Sequence, residues 1–358
     1  MLGRALTGLW VLTFVVGCGG ESDAELYGSG GANSGGAAGS VSTGGSAGSA
    51  GSDGDGGSAG AAGQPATGGA AGTAGAAGGG GASGCGLPPV AAGTEERTIT
   101  SGGSERKVRV HVPASYDASK SVPLVMMFHG YTETAEQFET ISQMTPVSDA
   151  QGFIVAYGQG IQNSWNAGKC CGTASAQKVL DVQFASDIID TLAGVLCIDQ
   201  KRVYAAGFSN GGMLSNRLAC DLSNRIAAFA PVAGPLAMDG CNPTRFMPMI
   251  EFHGTGDFVV PYNGGGLGGA VSVPENFAFW SKNAACTDKN PAQVYDNGDT
   301  QCVEASQCQG GAAVRLCTVN NGGHQWPGGK SAGPTGKLTQ DINASEEMVK
   351  FFLAHPLP

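Results

Sequence analysis

Basic residues are scarce in this 358-residue chain and nowhere gather into a stripe or cluster. Lys and Arg number 19 against 29 Asp and Glu, so binding to nucleic acid or acidic polymers has no electrostatic footing. Five of the acids, Glu21, Asp23, Glu25, Asp53 and Asp55, precede the region able to fold, and that region is acidic as well. Aromatic residues are missing from Gly28 to Gly84, a stretch almost wholly of Gly, Ala and Ser with nothing from which to build a core. It reads as a flexible tether with a root-mean-square reach of roughly 40 Å.

Long apolar runs are lacking too. The N-terminal run, Leu9 to Val16, follows a basic Arg4 and is too short to span a bilayer as a helix. Residues 1–17 therefore read as an export signal. The small residue before Cys18 resembles the lipobox of bacterial lipoproteins, in which that cysteine is lipidated and becomes the new N-terminus; an ordinary secretory signal with a chance cysteine is the alternative. Several acyl chains on Cys18 would hold the protein firmly to a membrane. Gly19, where some inner-membrane lipoproteins carry aspartate, points to the outer membrane or cell surface. The expected organisation is a signal peptide at 1–17, a lipidated tether at 18–84 and a folded domain at 85–358.

Removing Cys18 from the 11 cysteines leaves ten, all between Cys85 and Cys317, an even number that fits disulfides after export. Zinc is the competing reading, but Cys170 and Cys171 are adjacent, the other spacings are irregular, and no histidine lies close to a cysteine pair. No metal or other cofactor is expected. Cys286, Cys302, Cys308 and Cys317 are expected to staple an irregular C-terminal part locally.

From Cys85 onward, strand-like and helix-like runs alternate, the pattern of an α/β domain with a mostly parallel sheet flanked by helices. Residues 97–100 and 107–112 read as an opening antiparallel pair, and 123–128 as a buried strand. A helix is expected around 134–143 and a short strand at 153–157. Leu180, Phe184, Ile188, Leu192 and Val195 recur at helical spacing. Further strands are expected at 203–206, 227–232, 249–252 and 314–319. Asn343-Ala344-Ser345-Glu346 has the form of a capping box opening a helix to Ala354.

Between the strand ending at Ala206 and a helix-like run from Met213 lies Gly207-Phe208-Ser209-Asn210-Gly211. In that context the pentapeptide reads as a nucleophile elbow, a sharp strand-to-helix turn that holds its serine in a strained conformation and needs glycine on either side. In a chain with 61 glycines such a motif has to be judged by its partners. An acyl-transfer serine needs a base, and an acid to fix the base's tautomer, in the chain order Ser, Asp or Glu, His. Of the five histidines, only His324 and His355 follow Ser209 by enough residues, and His253 precedes the best candidate acid. His324 lies in a Gly-rich loop after the strand 314–319, where a base belongs, whereas His355 follows the last helix and reads as structural. Asp257, directly after the strand 249–252, is the expected acid because α/β sheets assemble their sites at carboxyl strand ends. Asp181 and Asp187 read as capping or structural residues.

The tetrahedral intermediate needs two backbone donors, expected at the Asn210 N–H and at the Tyr131 N–H in His129-Gly130-Tyr131. His129 itself reads as a structural hydrogen-bonding residue. The stretches PLVMMFHGYTETAEQFE, NSWNAGKCCG, CIDQKRVYAAGFSNGGMLSNRLAC, FHGTGDFVVPY and GGHQWPGG resemble, in order and spacing, bacterial secreted esterases of the polyhydroxybutyrate depolymerase/feruloyl esterase group. This α/β-hydrolase group also includes acetylxylan esterases, and the resemblance covers nearly everything from Cys85 to Pro358. It implies Ser209 as nucleophile, Asp257 as orienting acid and His324 as base. Many relatives carry two aspartates where this chain has Leu180-Asp181.

The implied function is a secreted serine esterase that removes feruloyl or acetyl groups from plant polysaccharide, with Trp165 and Trp326 as candidates to stack on a sugar or feruloyl ring and core or lid packing as the alternative for each. Trp280, on a helix-like run, reads as core. Short-chain polyhydroxyalkanoate is the rival substrate; the Gly/Ala/Ser stretch leads to an anchor and not to a polymer-binding module. A non-catalytic envelope binding protein is the alternative of another class, marked as a rule by a missing triad member, and all three are present here. The oligomeric state is not legible.

Overall fold

A ten-stranded sheet organises residues 85–358, the part of the chain that the computed structural model describes; the expected signal, Cys18 and the tether lie outside it. The first strands, β1 (Gly93–Ser101) and β2 (Ser104–Val112), pair antiparallel as expected. Next come β3 (Val122–Phe128), α1 (Ala135–Ser142), α2 (Met144–Gln151) and β4 (Ile154–Gly158). A short α3 (Gly172–Ala176) and the long α4 (Asp181–Ala193) lead to β5 (Ile198–Phe208), α5 (Asn210–Asp221), β6 (Ala228–Val232) and β7 (Met249–Gly254). The chain ends with α6 (Val273–Asn283), β8 (Ala292–Asn297), β9 (Thr300–Ala305), β10 (Val314–Val319) and α7 (Ala344–Ala354). In space the strands run β1-β2-β4-β3-β5-β6-β7-β10-β9-β8, with the six from β4 to β10 mutually parallel.

The central strands are apolar on both faces because helices cover both. Leu124, Met126 and Phe128 of β3 join the core beneath α4, α5 and α6, while Val125 and Met127 join that beneath α1, α2 and α7. This is the period-two pattern of a strand between two layers. On α4, Phe184, Ile188 and Leu192 are buried, as their spacing predicts, and Trp280 of α6 is fully buried. Thr134 and Gln137 form a capping box that starts α1. Asn343 caps α7 by accepting the Glu346 N–H at 3.2 Å.

The C-terminal part is less irregular than expected, since β8 and β9 form a hairpin that extends the sheet. Cys302 of β9 stands opposite Cys317 of β10 and is bonded to it, and Cys286 pairs with Cys308, so these four cysteines staple locally as anticipated. Cys85–Cys197, Cys170–Cys171 and Cys220–Cys241 complete the pairing of all ten.

Candidate active site

The carboxyl ends of β3, β5, β7 and β10 bring the chemistry-bearing loops together. At the end of β5 the chain turns into α5 within one residue, and Ser209 there has φ 53° and ψ −118°. A non-glycine residue at positive φ stores strain that the surroundings must hold in place. They do so by backbone contact: a Cβ on Gly211 would collide with the Phe128 carbonyl and come within 2.6 Å of the His129 oxygen. The Ser209 N–H donates to Val232 O at 2.8 Å, and its carbonyl accepts the Met213 N–H at 2.9 Å.

His324 is fixed by its own backbone, which donates to Thr335 O at 2.8 Å and accepts from Thr335 Oγ1 at 2.6 Å. Its Nδ1 lies 2.7 Å from Asp257 Oδ2, and its ring packs 4.7 Å from the Phe208 ring, centroid to centroid. A carboxylate oxygen accepts, so Nδ1 carries the proton and Nε2 is left to act as a base. Ser209 Oγ makes no hydrogen bond among the described residues; such contacts often tighten only with substrate bound. Asp257 Oδ1 accepts from the Val259 and Val260 N–H groups at 2.9 and 2.8 Å. Burial works to raise this carboxyl, but hydrogen bonds from His253 and His324 outweigh it and hold Asp257 well below the usual carboxylate range.

No acceptor among the described residues takes the Asn210 or Tyr131 N–H. The loops that carry them are tied together. Asn210 Oδ1 accepts the Trp165 N–H at 2.7 Å and its Nδ2 donates to Trp165 O at 3.1 Å, while Trp165 Nε1 donates to His129 O at 2.9 Å. His129 Nδ1 donates to Gly130 O at 2.7 Å and Nε2 accepts the Gly160 N–H at 3.0 Å. Burial pushes this imidazole down to about 4, so it is a neutral strut, the structural role expected of it. Asp181, also expected to be structural, is buried, bonds Arg106 at 2.8 Å and accepts the Asn166 N–H at 2.7 Å, anchoring the 165–166 loop from beneath.

The two tryptophans require a correction. Trp165 and Trp326 are fully buried, with Trp165 on Phe128 and Phe184 and Trp326 on Phe138 and bonded to Ser345 Oγ at 3.0 Å. Neither ring has a face to offer a substrate; both are packing residues. The aromatic side chains that do reach solvent beside site residues are Tyr131, 45% exposed, and Phe258, 66% exposed, which follows Asp257 directly. Their signal in the sequence was only their place in loops at strand ends. His355 donates to Phe351 O from Nδ1 at 2.7 Å, in keeping with its structural reading. A cavity of about 480 Å³ lined by Lys169, Leu180, Arg217 and Met238, among others, touches none of Ser209, Asp257 and His324. Among the described residues, no group of three or more His, Cys, Asp or Glu side chains is placed to hold a metal ion.

Residues 109–239 match the family model described as esterase PHB depolymerase. Feruloyl esterase B of Piromyces equi is 39% identical over 242 residues, covering 63% of this chain but only 44% of that protein. Putative esterase NocK of Nocardia uniformis subsp. tsuyamanensis is 28% identical over 290 residues, 74% of this chain and 84% of the other. Among solved structures, the acetyl xylan esterase from Aspergillus awamori superposes with a TM-score of 0.51 at 15% identity, over 73% of this chain and 99% of that one. The ten-stranded, centrally parallel sheet between helices has the α/β-hydrolase fold, and within it residues 109–239 are similar to the esterase PHB depolymerase family.

Proposed function

We propose that the protein is a serine carboxylic-ester hydrolase acting on feruloyl or acetyl esters of plant cell-wall polysaccharide. The observation that carries the chemistry is the 2.7 Å contact between His324 Nδ1 and Asp257 Oδ2, with Ser209 held strained on the adjoining elbow. Ser209 Oγ attacks the ester carbonyl as His324 Nε2 takes its proton, and Asp257 stabilises the resulting imidazolium. The oxyanion accepts hydrogen bonds from the Asn210 and Tyr131 N–H groups, both otherwise unengaged among the described residues. Collapse expels the alcohol, which takes the proton from His324. Water, deprotonated by the same imidazole, then attacks the acyl-enzyme and releases the acid.

The substrate class is supported by the feruloyl esterase and acetyl xylan esterase among the similar proteins. The exposed rings of Tyr131 and Phe258 supply an apolar surface for a phenolic acyl group. Short hydroxybutyrate esters are the second reading, favoured by the description of the matching family. Export with lipidation at Cys18 belongs to the same proposal, supported by Arg4, the apolar run to Val16 and five cysteine pairs suited to an oxidising compartment. Retention in the membrane fraction is expected to be lost in Cys18→Ser.

Ferulate release from methyl ferulate by the full chain, beside Ser209→Ala, tests the main reading. Release that vanishes in the variant is expected. A folded wild-type protein that released none would remove the aromatic acyl assignment and leave acetylated xylan and hydroxybutyrate oligomers to be assayed.

A further inference from the structure

Behind Asp257 the site continues into the core through side chains that the steps above do not use. His253 and Glu251 stand two residues apart on β7 with their side chains wholly out of solvent. His253 Nε2 lies 2.8 Å from Val260 O and 3.4 Å from Asp257 Oδ2. A carbonyl oxygen can only accept, so Nε2 carries a proton, and that proton is shared with the carboxylate. On the far side of the ring Nδ1 has no hydrogen-bond partner, and Glu251 Oε1, also without one, faces it across 4.0 Å. Glu251 Oε2 is held by Asn276 Nδ2 at 2.9 Å. The ionisable groups facing His253 are thus Asp257, Glu251 and Tyr262, whose ring stands edge-on at 5.9 Å. Of the flanking strands, β6 has no ionisable side chain, and Arg315 of β10 is engaged by Glu304.

We infer that His253 is a positioning residue for the triad: its Nε2–H braces Asp257 from the buried side and sets how strongly that carboxylate draws on the proton of His324. A carboxylate shared among several donors has less charge to give each, so removing one strengthens its hold on the others. His253 heads the hydrogen bonds that keep Asp257 ionised against burial, ahead of His324. Burial pushes the Glu251 carboxyl up to about 7, although His253 and Asn276 oppose it. The tautomer of His253 is set on its other nitrogen, where the Val260 carbonyl at 2.8 Å holds the proton on Nε2. The inference rests on the reading of Ser209, Asp257 and His324 as the triad.

The test is the pH profile of kcat/KM on p-nitrophenyl acetate for the full chain, His253→Leu, His253→Gln and Ser209→Ala. His253→Leu is expected to lower kcat about tenfold, with KM within about twofold. Its acid limb is expected to move up by about half a pH unit, since Asp257 then holds the His324 proton more tightly. His253→Gln, whose amide can return an N–H to the carboxylate, restores the limb to its original place. A lower rate with an unmoved limb in His253→Leu would mean a merely structural histidine and overturns the inference. Should His253→Leu fail to fold, ring-nitrogen NMR of the ¹⁵N-histidine-labelled wild-type protein decides: a protonated Nε2 on His253 is expected, and an unprotonated Nε2 overturns the inference. Hydrolysis surviving in Ser209→Ala would instead remove the triad reading beneath it.

Discussion

Replacing Glu251 by glutamine should stabilise the protein at alkaline pH and leave it unchanged in acid. The carboxyl, ordinarily near 4.5, is raised to about 7 by burial in the folded chain. Between those values the unfolded chain has released a proton that the folded chain retains, so stability falls as pH rises across that window. At about 1.4 kcal/mol per pH unit the full difference amounts to roughly 3 kcal/mol. The glutamine amide would keep an oxygen for Asn276 Nδ2, 2.9 Å from the present carboxylate, and carries no charge to lose. Urea unfolding with the disulfides intact should give equal stabilities for wild type and Glu251→Gln near pH 4, and a gain of about 2–3 kcal/mol for the variant near pH 8. A difference that did not change with pH would refute a raised Glu251 and the buried environment invoked for it.

Three further outcomes are expected. Gly211→Ala places a methyl group against the Phe128 carbonyl, backbone that cannot yield, and should abolish hydrolysis or folding; wild-type turnover with unchanged circular dichroism would contradict the packing of the elbow. Asp181→Leu strands the buried Arg106 charge and should cost roughly 3–5 kcal/mol in chemical denaturation; a loss below about 1 kcal/mol would show the ion pair to be dispensable. Phe258→Ala should raise KM for methyl ferulate about tenfold while leaving that for p-nitrophenyl acetate nearly unchanged, as one aromatic contact of about 1–1.5 kcal/mol requires. Equal changes for both substrates would exclude a ring contact with the acyl group.

Much of the sheet was legible because its central strands are apolar on both faces and its helices periodic. The hairpin of β8 and β9 was not, since Ala292–Asn297 lies largely exposed at the sheet edge and shows no alternation to read. Without β9 the Cys302–Cys317 bond could not be told from other pairings of the same four cysteines. Strand β5 begins at Ile198, earlier than expected, because Asp199 to Arg202 are polar and partly exposed at the strand's start. At the site, chain order and loop position singled out Asp257 and His324, which the fold does bring into contact. Nearness in sequence misled for Trp326: two residues from His324, its ring turns the other way, into the core with Phe138. His253 was set aside because it precedes the acid. That argument concerns a base and is silent on a histidine bracing the acid from within, which only the spatial relation of Nε2 to Oδ2 reveals.

The central claim is that Ser209 is the nucleophile, and covalent trapping addresses it most directly. A fluorophosphonate that mimics the tetrahedral intermediate should add once to the full chain, and peptide mass mapping should place the adduct on Ser209. Hydrolysis should cease in step with labelling, and labelling should be slowed in His324→Ala. An adduct on another residue, or full esterase activity in a protein that carries no adduct, would contradict the account.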